Sequence, residues 1–497
     1  MNSLSMTPPR ASVTKAASAI AAAVLSLAGC VNFSGIQGTG HVNSADQLQS
    51  GRSLPSQGGA WPAPEWADQF GDPQLGKLIA EALADNPSLA QARARIAAAQ
   101  AYTQGADSKL LPNVSAQYTL NRELYSGNAL YPPPYGGSWY TETNGLFDAS
   151  YELDVWGKNR QNVANAVSRE KMALADEQQV RLTLSASVAQ TYNQLAREYA
   201  LRDLAVQITE DRRHIGTITQ GRVKVGLDNQ TQQRTSEGDL ASSQTTLAQL
   251  DGEITVTRYQ LGALLGQGPD RGLAIDVPKL SAGDAVNLPD SLPADLVARR
   301  PDLVSALWQV DATLHGVKVA KAEFYPDINL VAVAGLDSFG FGRFLNASSR
   351  QLQAGPAIHL PIFDAGALRA NLKGEYANFD SAVANYNQTL VSALNDVATQ
   401  VASIHSTDQQ LADAQRAYDA AKRNDELAST RYHAGLAPQI TELTANLNRL
   451  NQQQTLIDLK MNRRDQQIGL IKALGGGFDA SGTPLAPTAS MTADTAK

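Results

Sequence analysis

A single cysteine, Cys30, occurs in 497 residues, so no disulfide within the chain can support this fold. The six histidines (His41, His214, His315, His359, His405 and His433) are scattered, without the spacing of a metal site. The sequence also lacks H-E-x-x-H, a phosphate-binding P-loop, G-x-S-x-G and a dinucleotide fingerprint. With no residues grouped for acid–base or nucleophilic work, it argues against an enzyme. The late Gly475-Gly476-Gly477 run reads as a helix stop. Positive charge is scarce: the formal net charge is −7, and −9 if Arg10 and Lys15 leave with an amino-terminal leader. An acidic chain lacks the basic face that phosphate attraction needs, which argues against nucleic acid as a partner. Beyond the amino-terminal segment there is no apolar run of about 18 residues, which excludes a transmembrane helix there. Any crossing of a membrane by the rest of the chain must use β-strands closed into a barrel.

What is present begins around the one cysteine. Leu27-Ala28-Gly29-Cys30 closes an apolar run from Ala16 to Leu27, behind a stretch carrying only Arg10 and Lys15. A positive segment, an apolar segment and small residues before a cut make a secretory signal. Cysteine just after the cut makes it a bacterial lipoprotein signal. Residues 1–29 are therefore expected to be removed, with a diacylglyceryl group on the Cys30 sulfur and an acyl chain on its freed amine. Two chains already anchor stably at about 0.8 kcal/mol per buried methylene, so three should hold permanently. A plain signal peptide or a buried thiol is the alternative. Val31, not an aspartate, follows Cys30, which leaves the outer membrane as the expected destination. No other cofactor is expected.

The chain repeats itself. Asn86-Pro87-Ser88-Leu89 matches Arg300-Pro301-Asp302-Leu303 at an offset of 214, held through Pro112 and Pro326. Gly226-Leu227 matches Gly435-Leu436 at an offset of 209, a register that also pairs Arg222 with Arg431 and Leu261 with Leu470. Two nearby registers describe one duplicated unit. In each copy a helix after proline leads to two segments of alternating polarity, such as Phe147, Ala149, Tyr151 and Leu153 between Asp148, Ser150, Glu152 and Asp154. Period two predicts strands with one apolar and one polar face. Proline-free helical stretches of about 68 residues follow, rods of roughly 100 Å. Glycine interrupts them, and return helices keep a seven-residue rhythm: Leu240, Leu247, Leu250, Ile254, Thr257, Leu261, and Leu443, Leu447, Leu450, Gln454, Ile457, Met461. That rhythm predicts a coiled-coil seam.

The expected organisation is a lipoprotein signal over 1–29, an anchored segment over 30–72, a first repeat over 73–268, a linker over 269–293, a second repeat over 294–477 and a disordered tail over 478–497. Strands are expected near 113–126, 140–155, 327–340 and 350–363, and long helices near 158–225, 228–265, 367–434 and 437–474. The fold class is mainly α with a small β part. Four strands cannot seal a barrel, since single-chain outer-membrane barrels begin at about eight. Several copies must therefore contribute strands.

Trp61 and Trp66 before Phe70-Gly71-Asp72-Pro73-Gln74-Leu75 resemble the opening of the TolC-like outer-membrane efflux proteins, in their lipoprotein (NodT-type) branch. So do Tyr151-Glu152-Leu153-Asp154-Val155-Trp156-Gly157, Arg299-Arg300-Pro301-Asp302-Leu303, Pro361-Ile362-Phe363-Asp364-Ala365-Gly366 and Arg431-Tyr432-His433-Ala434-Gly435. The resemblance implies a homotrimer with a twelve-stranded barrel in outer-membrane lipid and a helical tunnel through the periplasm, with the linker in a belt midway along the rods. It implies a periplasmic adaptor (membrane fusion) protein and an inner-membrane pump of the resistance–nodulation–division type as partners. The protein would then be a passive duct expelling small molecules such as drugs. A duct for type I protein secretion, or a lipid-anchored coiled-coil scaffold without a pore, remains the alternative.

By the family's topology the turns at Gly226 and Gly435 form the periplasmic entrance. Arg431 and Tyr432 stand where the family motif places a closing contact, as a charged link and a hydrogen-bonded wedge between neighbours. They equally suit a helix C-terminus, where cations are favoured. Acidic rings favour cations at such entrances. This sequence departs from the pattern, with Glu442 and Thr444 where an aspartate near Thr444 is usual. Asp228 and Glu237 are the acidic candidates in the first copy.

Overall fold

The computed structural model describes residues 33–55, 58–128, 132–281, 288–289 and 292–486. The expected signal segment, Cys30 and residues 487–497 lie outside them. Helices α1 (Pro73–Asp85) and α2 (Pro87–Asp107) open the first half. Each has proline in its first turn, and Asp72 or Asn86 accepts from the N–H two residues on. Strands β1 (Asn113–Leu124) and β2 (Trp139–Glu152) follow, then α3 (Lys158–Lys224) and α4 (Gln230–Leu264). Short helices α5 (Pro269–Leu273) and α6 (Leu292–Arg299) connect the halves. The second half is α7 (Pro301–Ala322), β3 (Asp327–Phe339), β4 (Arg350–His359), α8 (Ala367–His433) and α9 (Gln439–Ala473). Helices α3 and α8 each run 67 residues and α4 and α9 each 35, rods of about 100 and 50 Å. The fold is mainly helical with a small strand part.

The strands form one antiparallel sheet in the order β1-β2-β3-β4 that does not close on itself. Two strands stop sooner than their alternation suggests. After Glu152 the chain turns because Asp154 accepts from the N–H groups of Asn159 and Arg160 (3.0 and 2.9 Å), capping the start of α3. After His359, Pro361 offers no N–H to a ladder, and Asp364 accepts from Gly366 and Leu368 to start α8.

The core is concentrated midway along the rods, around Phe70, Leu89, Tyr192, Leu261 and Ile468, and around Leu303, Leu307, Leu390 and Leu470. The linker is pinned there: Arg464 donates to the carbonyls of Ser281 (2.9 Å) and Leu280 (3.2 Å), and Asp72 accepts from Lys279 N (2.8 Å) and the Tyr192 hydroxyl (2.7 Å). Towards the hairpin turns the core thins to Ile215, Leu443 and Leu447. The seam of α9 also drifts. Gln454 is exposed and Leu456 is buried instead, as expected when a 3.6-residue turn slips against a seven-residue repeat.

The tail is a correction. Expected to be disordered from 478, it packs as far as 486. Ala480 N donates to Ala298 O (2.9 Å), Asp479 pairs with Arg299 (3.0 Å), and Trp308 Nε1 donates to Leu485 O (3.0 Å). Its polar composition concealed these bonds because backbone carries most of them. At the other end, residues 33–48 lie along α8, where Asp380 accepts from Thr39 N (3.0 Å) and Gly40 N (2.8 Å). Phe33 meets Phe324 edge-to-face at 5.7 Å, beside the start of β3.

Candidate functional site

Both helix hairpins turn in the same way. Gly226 and Gly435 have φ of 75° and 72°, in the left-handed region that side chains disfavour. Beyond each, a leucine N–H reaches back five residues: Leu227 to Arg222 O at 2.9 Å and Leu436 to Arg431 O at 2.8 Å. The side chains differ. In the first turn Arg222 grips Asp228 with two bonds, of 2.7 and 3.2 Å, and these hold the Asp228 carboxyl below its usual range. Glu237 is bound by Arg234 (2.7 Å) and Gln233 (2.9 Å), which lower it likewise.

In the second turn the position of Asp228 is taken by Ala437. Arg431 is exposed, and its guanidinium has no carboxylate partner among the described residues. Tyr432 is half-buried with its ring 5.3 Å from that of His433. Glu442 accepts from the Ser429 hydroxyl across the hairpin at 2.7 Å, and Thr444 donates to Ile440 O within its own helix. One chain therefore does not gather these six residues into a single constriction.

The sequence reading missed a link farther up the rods. Asn446 on α9 donates to Asp211 on α3 at 2.7 Å, and Arg449 on α9 donates to Asp425 on α8 at 3.0 Å and to Asn446 Oδ1 at 2.6 Å. Three helices are thus joined just where the apolar core fails. Mirroring positions about Gly435 brings Asp425 and Arg449 to similar heights, a signal that was available. The link from Asp211 to Asn446 is not readable that way, because it joins the two repeats.

The sheet register sorts the strand residues. Val114, Ala116 and Tyr118 stand opposite Ala149, Phe147 and Gly145; Ala149 and Phe147 oppose Ala332 and Ala334; and these oppose Ala354 and Leu352. Residues directly opposite share a face, so one face is apolar across all four strands. Phe147, Val114 and Leu352 are 64%, 67% and 77% exposed on it, a wide unpartnered apolar surface. The other face carries Gln117, Asn144, Asp148, Asp337 and Gln353. At the foot of the sheet Lys158 bridges Glu152 (2.6 Å) and Asp327 (3.3 Å), and Trp156 stacks on Tyr325 at 4.6 Å. No helix among the described residues is long and apolar enough to cross a membrane.

A sheet that is apolar on one side and polar on the other, inserted between proline-free rods, recurs in known proteins. The model of the outer membrane efflux protein family matches residues 78–267 and 292–476. The chain belongs to this family. Among its efflux relatives, the multidrug resistance outer membrane protein MdtP of Escherichia coli O6:H1 is 34% identical over 435 residues, covering 85% of this chain and 88% of MdtP. The fusaric acid resistance protein FusA of Burkholderia cepacia is 36% identical over 361 residues, covering 71% and 68%. The crystal structure of the outer membrane protein VceC from Vibrio cholerae superimposes with a TM-score of 0.77 at 31% identity, over 84% of this chain and all of VceC. The matched family is one of outer membrane efflux proteins, and MdtP and VceC are outer membrane proteins.

Proposed function

We propose that this protein is the outer-membrane duct of a tripartite efflux pump, a homotrimer through which small molecules such as drugs pass passively from the periplasm to the exterior. The observation that carries this reading is the sheet register. A face of Val114, Phe147, Ala332 and Leu352 suits lipid, and its opposite suits a watery bore. The free edges of β1 and β4 cannot stay unpaired in hydrocarbon, so three copies close twelve strands. The names of MdtP and FusA support small-molecule cargo, and an adaptor and a resistance–nodulation–division pump are the partners such a duct needs. Reconstitution in lipid tests this: a trimer passing current is expected, and a monomer, or an assembly without conductance, rejects it. Deleting the gene should raise sensitivity to drugs or dyes.

Cys30 is proposed as the lipid attachment site. Only Val31 and Asn32 separate it from Phe33, a reach of at most about 11 Å over three residue steps. Phe33 itself lies beside Phe324 at the junction of helix and strand, the level at which a barrel leaves the membrane. Incorporation of labelled palmitate, abolished by Cys30→Ala, is the expected result.

The periplasmic entrance is proposed at the two turns. Asp228 and Glu237 are already engaged by Arg222 and Arg234, whereas Arg431 has its guanidinium available to a neighbouring protomer, with Tyr432 beside it. Glu442 and Thr444, bonded within their own hairpin, then support the turn rather than close it.

A further inference from the structure

The far end of the sheet carries a second aromatic surface, on the wrong face for lipid. Register places Tyr140 opposite Glu123 and Phe339 opposite Glu142, on the polar face. Of the β1–β2 connection, residues 132–138 fold back over that face. Gly137 N donates to Tyr125 O (2.8 Å) and Tyr125 N to Ser138 O (3.2 Å), and the Tyr140 hydroxyl donates to Pro134 O (3.2 Å). This brings the Tyr135 ring to 5.2 Å from Tyr140 and 5.3 Å from Phe339, while Tyr125 packs on Phe339 at 5.6 Å and donates to Glu142 at 2.9 Å. Tyr135 is the outermost ring, at 38% exposure, over an underlying layer in which Tyr125 is buried.

Resting on the trimeric-barrel reading, we infer that three copies of this cluster form an aromatic collar inside the exit mouth, with Tyr135 setting its bore. Twelve strands about 4.8 Å apart and tilted about 40° enclose a backbone diameter of roughly 24 Å. Two aromatic layers rising from each of three sides remove much of that width. Mid-strand positions on the same face carry Asp148, Asn144 and Gln353 and add no such layer. The exit is therefore narrower than the barrel beneath it, and bulky cargo or bulky molecules outside meet tyrosine rings first.

The test is independent of the periplasmic entrance. Asp148→Cys places a thiol on the bore face roughly 15–20 Å below the collar along the barrel axis, in a chain whose only other cysteine is Cys30. Intact cells are treated from outside with N-ethylmaleimide or with a polyethylene-glycol maleimide of about 1 kDa. The small reagent should label D148C with and without Tyr135→Ala, and the large one should label the Y135A form at least about ten-fold faster, because pore-lining side chains set what passes. Tyr135→Phe, which keeps the ring, should restore exclusion. Equal rates for the large reagent in all three forms overturn the collar. Failure of the small reagent to label D148C at all overturns the bore reading itself, and the collar with it.

Discussion

Arg222 closes a two-bond ion pair on Asp228 at the first helix hairpin, and the equivalent Arg431 has Ala437 at the position of that aspartate. The duplicated turn has kept its backbone and lost one half of its charge pair. Arg431→Ala with Tyr432→Ala should raise single-channel conductance. Ala437→Asp should do so too, by engaging Arg431 within its own chain. Unchanged conductance in both would remove Arg431 from the entrance.

Arg449 ties α8 to α9 and, through Asn446, both to α3. Arg449→Met leaves the Asp425 carboxylate without its ion pair in a half-buried setting, which costs about 1–3 kcal/mol. The loss should show as earlier urea unfolding of the rods by circular dichroism, with the strands unaffected.

Burial pushes the carboxyls of Asp211 and Asp465 above the ordinary 3.8. A carboxyl raised in the folded state is favoured protonated, so its contribution is fully present below the unfolded value and is lost as pH rises through the folded one. At neutral pH both are therefore held charged at a cost. Asp211→Asn with Asp465→Asn should raise the melting temperature at pH 7 relative to the parent, with the advantage shrinking towards pH 4. Each asparagine can still accept from Asn446 or Asn193.

Asp380 shows the opposite sign. Against the burial that raises it, the N–H groups of Thr39 and Gly40 bring its carboxyl below the usual range. Its contribution is present above the unfolded value and lost as pH falls through the folded one. Asp380→Ala removes acceptors for two backbone donors, about 1–3 kcal/mol locally. Limited proteolysis should then cut residues 33–48 much faster, with the rods intact.

Gly475 has φ of 93°, and a Cβ there would run into the carbonyl of Arg299. Gly475→Ala should cost at least about 2 kcal/mol and detach the segment to Leu485. Exposure of Trp308, read by fluorescence quenching, reports the detachment.

Local order was legible in the sequence because it is periodic. Alternation marked four strands, glycine marked both hairpin turns, and the 209- and 214-residue offsets marked the duplication. The same pattern, with one apolar face and too few strands to close, is what motivates the proposed assembly of several copies. The sequence did not reveal which polar groups meet across packed helices or where a loop goes after it leaves its strand. Asp211 finds Asn446 across 235 residues, Arg464 serves the Leu280 and Ser281 carbonyls, and Tyr135 turns back onto Phe339. Those choices depend on the relative height of distant elements and on backbone groups, and neither leaves a period in the chain. Sequence alone set the two-faced strands and paired rods; tertiary packing decided which charges are paired among the described residues and where Tyr135 comes to rest.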